Sequence, residues 1–343
     1  MKTLSANLLL VGATLVASAC GTDSSGTPPV ERSAIEKCVF AGGSVKELWS
    51  TSNLHGPVTS IAVAGSTVVL GSEDHSVKQW SVTGPGADPR YGTPFTEDAG
   101  SIVGALAISA DDHVLGGNQA GQLIDWRLSD AQMAKLTTIG EASVVAVAAN
   151  KVADRVLVGG MPKDMHVVDR NNGSIVGPLT TQLWGVTSAA FSDHGSLFTA
   201  GHYYGTPMIE RRSADSPMTV AETWGSQQIE GVVNAIGLDS TSSTLVAVGD
   251  GFVAVFAPDQ IASGPTAITK VPDHQAVGVA ILPGGELFAT AGRDGSLRLW
   301  KTATAEIIAT LMIPVPVGVG TDQSGQHLFT SGADGLLHAF SCQ

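Results

Sequence analysis

Short segments of alternating apolar and polar residues, each introduced by a turn of small residues, recur along the chain. Residues 71–80, 292–300 and 332–340 are three copies, in which a turn with glycine and aspartate leads into an alternating segment that ends in an aromatic residue. Alternation with a period of two places every second side chain on one buried face, so each copy predicts a β-strand. The residues that end the copies, which we call the anchors, are Trp80, Trp126, Val168, Ile209, Phe256, Trp300 and Phe340.

The spacing of the anchors predicts the architecture. Successive anchors lie 40 to 47 residues apart, close to the ~40–45-residue period of propeller blades with four strands each. A single four-stranded blade cannot bury both of its faces, so the copies must pack face to face and close into a ring. Seven anchors therefore predict seven blades.

One copy identifies a family resemblance. Residues 292–300 resemble the end-of-repeat pattern of WD40 β-propellers, and the pair His55 and Gly56 stands where that family has its GH pair. The resemblance covers residues 45–342 and implies an all-β fold, a seven-bladed WD40-like β-propeller that occupies residues 45–343. In that family the outermost strand of the last blade commonly comes from the other terminus. Residues 45–51 are well placed to be that closing N-terminal strand.

The first residues predict export. A short positive region with Lys2 precedes an apolar run at residues 8–16, which is too short to span a bilayer. Residues 17–20, Ala-Ser-Ala-Cys, resemble the lipobox of bacterial lipoproteins, which implies a signal peptide at residues 1–19 and a lipid on Cys20. Ordinary signal cleavage with an unmodified Cys20 is the alternative. We expect residues 20–44 to be a lipid-anchored flexible tether that holds the protein at the outer membrane, facing the periplasm or the cell surface.

The cysteine count agrees with export. The chain has three cysteines. If Cys20 carries lipid, Cys38 and Cys342 remain, and disulfides persist in exported proteins. A Cys38–Cys342 bridge is the simplest expectation, with two unpaired thiols as the alternative. In the WD40-like ring such a bridge would lock the seam.

Composition and charge exclude some function classes. The formal net charge is −13, which argues against nucleic acid and against an anionic membrane surface, because both need clustered lysine and arginine. We expect attachment to a membrane by the lipid anchor only. No catalytic or phosphate-binding motif stands out, and no histidine pair has metal-ligand spacing with a third candidate beside it. We therefore expect no cofactor and no metal.

Four copies repeat an aspartate six residues before the anchor. A ring of carboxylates could suggest a cation site. In WD40 blades, however, the acid at this position accepts hydrogen bonds within its own blade, often from a histidine and tryptophan network. The resemblance therefore implies a structural role for these turn acids, which are Asp74, Asp250, Asp294 and Asp334.

Aromatic residues suggest a binding surface. Tyr203 and Tyr204 lie together in the turn of the fourth copy, Trp184 precedes the first strand of that copy, and Trp224 precedes the fifth. Exposed aromatic rings bury a large area at low entropic cost, as binding hot spots do. We expect these four residues to bind a partner. The alternative is that they fill gaps between neighbouring blades.

These observations favour a non-enzymatic, lipid-anchored scaffold in the cell envelope, which binds one or more proteins and exists as a single monomeric ring. The alternative is an extracytoplasmic propeller enzyme, such as a lactonase-like hydrolase or a quinone-dependent dehydrogenase. Such enzymes hold a metal or cofactor in the central channel with convergent charged side chains, and we identify no such set in this sequence. Fold alone does not decide between the two.

Overall fold

The alternating segments are strands, and one short helix precedes them. The computed structural model describes residues 31–52, 56–82, 93–96, 99–109, 113–149, 155–160, 165–192, 195–213, 216–226, 228–239 and 241–343. The predicted signal peptide and Cys20 lie outside these residues. No helix among the described residues combines the length and the apolar character needed to cross a bilayer.

The helices and strands of the described residues follow one another along the chain in a fixed order. They are α1 (Ala34–Phe40), β1 (Val45–Ser52), β2 (Val58–Ala64), β3 (Thr67–Ser72), β4 (Val77–Ser81), β5 (Thr93–Thr96), β6 (Val103–Ile108), β7 (His113–Asn118), β8 (Gln122–Arg127), β9 (Met133–Thr138), β10 (Val144–Ala149), β11 (Arg155–Gly160), β12 (Met165–Asp169), β13 (Ile175–Pro178), β14 (Gly185–Phe191), β15 (Ser196–Tyr203), β16 (Thr206–Ser213), β17 (Ser216–Gly225), β18 (Val233–Leu238), β19 (Leu245–Phe256), a 3₁₀ helix (Pro258–Ser263), β20 (Ala267–Ile281), β21 (Leu287–Gly292), β22 (Ser296–Lys301), β23 (Glu306–Met312), β24 (Pro316–Thr321), β25 (Leu328–Gly332) and β26 (Leu336–Cys342).

These strands form six antiparallel sheets in the described part of the chain. Five sheets have four strands, in the orders β2-β3-β4-β5, β6-β7-β8-β9, β10-β11-β12-β13, β14-β15-β16-β17 and β1-β26-β25-β24. The sixth has six strands, in the order β18-β19-β20-β21-β22-β23. The all-β propeller is confirmed, but the prediction of seven blades is wrong in its count: six blades, one of them wider than the others, carry the seven sequence copies.

The wide blade exists because β20 is continuous. Its first part pairs with β19, where Ala267 lies opposite Val255, and its second part pairs with β21, where Ala276 lies opposite Gly292. The residues between these parts stay extended, and Gln275 lies opposite Asp250. A sequence period counts copies, whereas a sheet is defined by hydrogen bonds. One unbroken strand therefore merges the fifth and sixth copies into a single sheet.

The anchors lie in the core between copies. All seven are at most 2% exposed, and seven hydrophobic clusters join each copy to the next. The cluster that closes the ring places Trp80 of the first copy with Phe329 of the last. Burial of these apolar faces is the main stabilising contribution to the ring.

The ring closes with a strand from the N-terminal end, as predicted. β1 pairs antiparallel with β26, from Val45 opposite Cys342 to Ser52 opposite Leu336. Glu47 of β1 also contacts the last copy through its side chain, because His338 Nδ1 lies 2.8 Å from Glu47 Oε1. The first and last parts of the chain therefore share one sheet.

Helix α1 corrects the predicted tether. Residues 34–40 lie inside the range 20–44 that we expected to be flexible, yet they form a helix fixed to the propeller. The helix has a capping box between Ser33 and Glu36, and Ile35 is 1% exposed in the core between the sixth and seventh copies. The predicted bridge between Cys38 and Cys342 is present and ties α1 to β26.

Antiparallel pairing gives the ring two distinct faces. The turns between the second and third strands of a copy, such as residues 204–205, lie on the same face as the loops before the first strands; we call this the upper face. The turns between first and second strands, such as residues 282–286 and 322–327, lie at the other end of the strands, on the lower face. The backbone N–H of Ile35 donates to Gly325 O over 2.9 Å, so α1 lies on the lower face.

Candidate interaction face

Three of the four predicted aromatic residues form one exposed cluster on the upper face. The ring centroids of Trp184 and Tyr204 are 4.4 Å apart, and those of Tyr203 and Tyr204 are 4.6 Å apart. The exposed fractions are 44% for Trp184, 42% for Tyr203 and 68% for Tyr204. We call these three residues the aromatic cluster. Large apolar side chains that remain this accessible and adjacent are typical of binding surfaces.

A tight turn presents the two tyrosines. In the hairpin of β15 and β16, Tyr203 lies opposite Thr206, so Tyr204 and Gly205 form a two-residue turn. Both residues have positive φ, 48° for Tyr204 and 79° for Gly205, which is typical of the type I′ turn that matches strand twist. A tyrosine in this region costs on the order of 1 kcal/mol, and such strain is concentrated at functional positions.

A buried ion pair holds the loop that carries Trp184. Glu210 and Arg212 on β16 are both fully buried and bonded to each other. Glu210 accepts hydrogen bonds from Thr181 Oγ1 and from the backbone N–H of Gln182, each over 2.8 Å. Arg212 Nη2 donates to Thr180 O over 2.8 Å. Residues 180–182 are therefore fixed by charged partners directly before Trp184, which limits the entropy that binding would cost.

The prediction for Trp224 is wrong. Trp224 lies on β17 opposite Ile209 and is 7% exposed. Its ring packs edge-on against Phe256, with centroids 4.9 Å apart, inside the core between the fourth and fifth copies. Trp224 therefore fills an interface between copies, which is the alternative that the sequence left open.

A groove adjoins the aromatic cluster on the upper face. Its volume is about 460 Å³, and its walls include Gln228, Glu230, Asp250 and Lys270. The loop that forms one wall reaches the tyrosine turn, because the backbone N–H of Gly231 donates to Gly205 O over 2.8 Å. The cluster and the groove therefore belong to one continuous surface.

The turn acid of the sixth copy lies at the centre of a hydrogen-bond network. Asp294 accepts from Ser296 Oγ over 2.8 Å and from Arg298 Nη2 over 2.7 Å, and it lies 3.1 Å from His274 Nδ1. His274 Nε2 lies 2.8 Å from Thr290 Oγ1, which also accepts from Trp300 Nε1 over 2.8 Å. The network links the middle of β20, where His274 lies, to β21 and β22.

The same network sets two pKa values. Burial lowers the pKa of His274 below its ordinary value, and the hydrogen bond and charge of Asp294 only partly oppose this. Burial alone would raise the pKa of Asp294, but hydrogen bonds from Ser296 and His274 outweigh it and the pKa is lowered. A neutral imidazole beside a carboxylate is the arrangement expected of a structural support.

The other three turn acids also make bonds close to their own turns. Asp334 Oδ2 lies 2.7 Å from His338 Nε2. Asp74 accepts from the backbone N–H of Ser76 over 2.9 Å. Asp250 differs, because it is exposed on the groove and accepts from Asn234 Nδ2 over 2.9 Å. These contacts agree with structural roles and leave Asp250 open to solvent as well.

The central channel is lined by the first strands. Seven segments, two of them from the wide blade, surround a volume of about 260 Å³, and none of the lining residues is charged. Its polar side chains join neighbouring copies: Thr59 Oγ1 donates to Val103 O over 2.6 Å, and Asn234 Nδ2 donates to Ala276 O over 3.0 Å. Among the described residues, no group of three or more histidine, cysteine, aspartate or glutamate side chains is arranged to hold a metal ion.

One copy matches a known repeat family. Residues 266–301 match the family model described as WD domain, G-beta repeat. This is the copy with the Asp294 network. In the first copy Leu70 takes the place of Thr290, and the buried Trp80 Nε1 has no hydrogen-bond partner.

Solved structures share the whole fold. The crystal structure of RRP9 WD40 repeats and the structure of U3-55K each align with a TM-score of 0.72 at 17% identity, over 87% of this chain and 97% and 98% of theirs. The WD40 β-propeller domain of Doa1 aligns with a TM-score of 0.72 at 16% identity, over 87% of this chain and 97% of that one. No curated protein sequence matches the chain. The chain therefore has the fold of these WD40 β-propellers, and one of its copies matches the WD-repeat model.

Sequence reasoning missed the residues that support the site. Glu210 and Arg212 are charged, and nothing in the strand pattern indicates that both are buried. Their spacing did indicate that they could pair, because they occupy alternate positions of one strand and therefore point to the same side. The sequence did not indicate a role for Glu230, since the groove that it lines is assembled from three separate segments, which are the loop before β18, the turn at residues 250–251 and β20.

Proposed function

We propose that this protein is a non-enzymatic interaction module of the cell envelope, anchored by lipid at Cys20, which binds a partner protein through the aromatic cluster. The observation that carries the proposal is the exposure of Trp184, Tyr203 and Tyr204 on a loop and a turn that are rigidly held. Such a surface binds with little loss of conformational freedom.

The anchoring proposal rests on the sequence of residues 17–20, which resembles a lipobox. The variant Cys20→Ser should move the protein from the membrane fraction to the soluble fraction, and metabolic labelling with palmitate should be lost. Unchanged fractionation would contradict lipid anchoring.

The channel lining supports a non-enzymatic role. The alternative propeller enzyme requires convergent charged groups in the channel, and the channel-lining residues of this ring are apolar or neutral. Their hydroxyl and amide groups bond to neighbouring copies. We therefore propose that the partner binds on the upper face and not in the channel.

The test is affinity capture from envelope extracts with two matched variants. The first is Trp184→Ala, Tyr203→Thr, Tyr204→Asn, in which asparagine tolerates the positive φ of position 204. The second is Met133→Ala, Ile307→Ala, which removes apolar side chains of similar exposure from outer strands. The first variant should lose a dominant partner by at least about 30-fold, as expected for hot-spot residues, and the second should keep it. Both should melt near the wild-type temperature.

Two results would overturn the proposal. One is full retention of the partner by the cluster variant. The other is a stoichiometric metal or organic chromophore in the purified protein together with no captured partner, which would favour the enzyme. A large fall in melting temperature for the cluster variant would show that the three rings support the fold.

A further inference from the structure

The upper face carries an excess of exposed carboxylates. Among the described residues, the exposed charged side chains on this face are six acids and two bases. The acids are Glu73, Glu141, Glu230, Asp250, Asp273 and Asp334, and the bases are Lys270 and Arg293. A partner that approaches this face is therefore favoured if it is cationic.

The groove brings part of this charge next to the aromatic cluster. Glu230 and Asp250 are both exposed walls of the groove. The only base among the groove-lining residues is Lys270, and its ammonium donates to the carbonyl oxygen of Gln228 over 3.1 Å. The carboxylates therefore remain available to a charge from outside.

Aromatic faces and carboxylates select the same kind of group. A guanidinium stacks on the faces of tryptophan and tyrosine and also pairs with carboxylates through a planar set of donors. An ammonium is hydrated more strongly and has no planar face, so it suits this surface less well. A purely apolar ligand would use the rings but would bring no positive charge to Glu230 and Asp250.

We propose that the upper face binds a partner segment that carries arginine, with one guanidinium stacked on the aromatic cluster and a second paired with Glu230 and Asp250 in the groove. This inference rests on the proposed function and adds the chemistry of the partner. The backbone contact between Gly231 and Gly205 makes the two positions parts of one surface, so that a single extended segment reaches both.

The test uses two fluorescein-labelled peptides and fluorescence anisotropy with the full mature chain. One peptide is Gly-Ser-Arg-Gly-Arg-Ser-Gly, and the other has citrulline at both arginine positions. Citrulline keeps the shape of arginine but is neutral. We expect the citrulline peptide to bind at least about tenfold more weakly, and the arginine peptide to weaken on raising the salt from 50 to 500 mM, since both contacts are partly solvent-exposed.

Four single variants, one of them a control, locate the binding. Glu230→Gln should weaken binding of the arginine peptide about threefold to fivefold, and Lys270→Gln should strengthen it by a similar factor. Glu306→Gln removes the same charge from the lower end of an outer strand and should change nothing. On its own, Tyr204→Asn should weaken binding of the arginine peptide by a factor of about three or more, because the stacking face is removed.

The outcomes separate this inference from the proposed function. Equal binding of both peptides, or equal effects of Glu230→Gln and Glu306→Gln, would overturn the inference. Absence of binding by the arginine peptide would also overturn the inference. The proposed function would still hold in that case if the aromatic-cluster variant lost the captured partner. Sedimentation that shows a dimer of the wild type and a monomer of Tyr204→Asn would overturn it in favour of a second copy of the chain as the occupant.

Discussion

Glu36 accepts a hydrogen bond over 3.0 Å from the backbone N–H of Leu287, a residue 251 positions further along the chain. The same carboxylate accepts from the backbone N–H of Glu286 over 2.9 Å and from that of Ser33 over 2.7 Å, and Glu36 is fully buried. A buried carboxylate with three N–H donors is well satisfied. This one joins α1 to the turn between β20 and β21 and makes the helix part of the ring.

Glu36→Ala should destabilise the fold by about 3 kcal/mol, because it leaves buried backbone N–H groups without acceptors. Glu36→Gln should cost less, since its amide oxygen still accepts from the turn. Urea unfolding followed by intrinsic fluorescence measures both variants.

Gly284→Ala checks the same contact from the other side. A Cβ at this position would clash with Glu36 Oε2, so the carboxylate must move. Gly225→Ala is the matched control, because its Cβ would meet nothing closer than 3.6 Å. A fall in stability for Gly225→Ala equal to that for Gly284→Ala would contradict the assigned role of Glu36.

The sequence contained enough to place the copies but not to count the sheets. Anchors such as Trp80 and Trp300 are buried where the period puts them, because a repeated alternation has one buried face in every copy. The continuity of β20 depends on local pairing near Gln275, which no periodicity reports. Helix α1 could have been predicted from the sequence, since Ser33 and Glu36 have the spacing of a capping box.

The exposure of the aromatic residues could not be predicted from the sequence. Trp184 and Trp224 are the same residue type, and both precede the first strand of a copy. Trp184 follows a loop that the buried Glu210 fixes in place, and it remains exposed. Trp224 lies within β17 with its ring on Phe256. The difference is set by packing between copies, which a single sequence does not contain.

The disulfide between Cys38 and Cys342 should contribute measurably to stability. The bridge joins residues 304 positions apart, and in the chain-entropy model a loop of that length contributes at most about 5 kcal/mol. Cys38→Ser, Cys342→Ser should therefore lower the free energy of unfolding by about 2 to 5 kcal/mol, and reductant should lower that of the wild type but not of the variant. Intact mass before and after reduction and alkylation tests the bridge, and two thiols alkylated in the native, unreduced protein would contradict it.

Stability should fall in two steps as the pH is lowered. The pKa of His274 in the folded protein is lowered from its ordinary 6.5, mainly by burial. Below pH 6.5 the unfolded chain therefore binds a proton more readily than the folded protein does, and the free energy of unfolding falls. The pKa of Asp322 is also lowered, from 3.8, because hydrogen bonds from His327, Ser324 and the backbone of Gln326 outweigh the effect of burial. The stability that the Asp322 carboxylate contributes is therefore present above pH 3.8 and is lost as the pH falls through the pKa of this group in the folded protein.

The slope of stability against pH, not its absolute value, tests this assignment. Between pH 7 and 5, His274→Gln should show a flatter decline in the free energy of unfolding than the wild type. Below pH 4, Asp322→Asn should do the same. Parallel curves for wild type and His274→Gln would show that another group controls the first step.

Thr290 should be among the most sensitive polar residues of the ring. Its hydroxyl oxygen lies 2.8 Å from both Trp300 Nε1 and His274 Nε2, and all three residues are fully buried. Thr290→Val keeps the shape but leaves two buried polar groups unpaired, so we expect a loss of about 2 to 4 kcal/mol. Thr290→Ser keeps the hydroxyl and should lose less than half as much. Chemical denaturation compares them, and equal losses would show that the methyl group matters more than the network.

The pair of Glu210 and Arg212 links the fold to the aromatic cluster. Arg212→Met alone leaves a buried carboxylate without its cation and should destabilise the protein by about 3 to 5 kcal/mol, whereas Glu210→Leu with Arg212→Met removes both charges and should cost much less.

The double variant still deprives Gln182 of the acceptor for its N–H, which lies 2.8 Å from Glu210 Oε1 in the wild type. Hydrogen exchange at Gln182 should therefore be at least tenfold faster in the double variant while the melting temperature changes little. Partner capture should weaken in parallel, because the loop before Trp184 is then no longer fixed, and unchanged exchange at Gln182 would show that the backbone positions this loop without the ion pair.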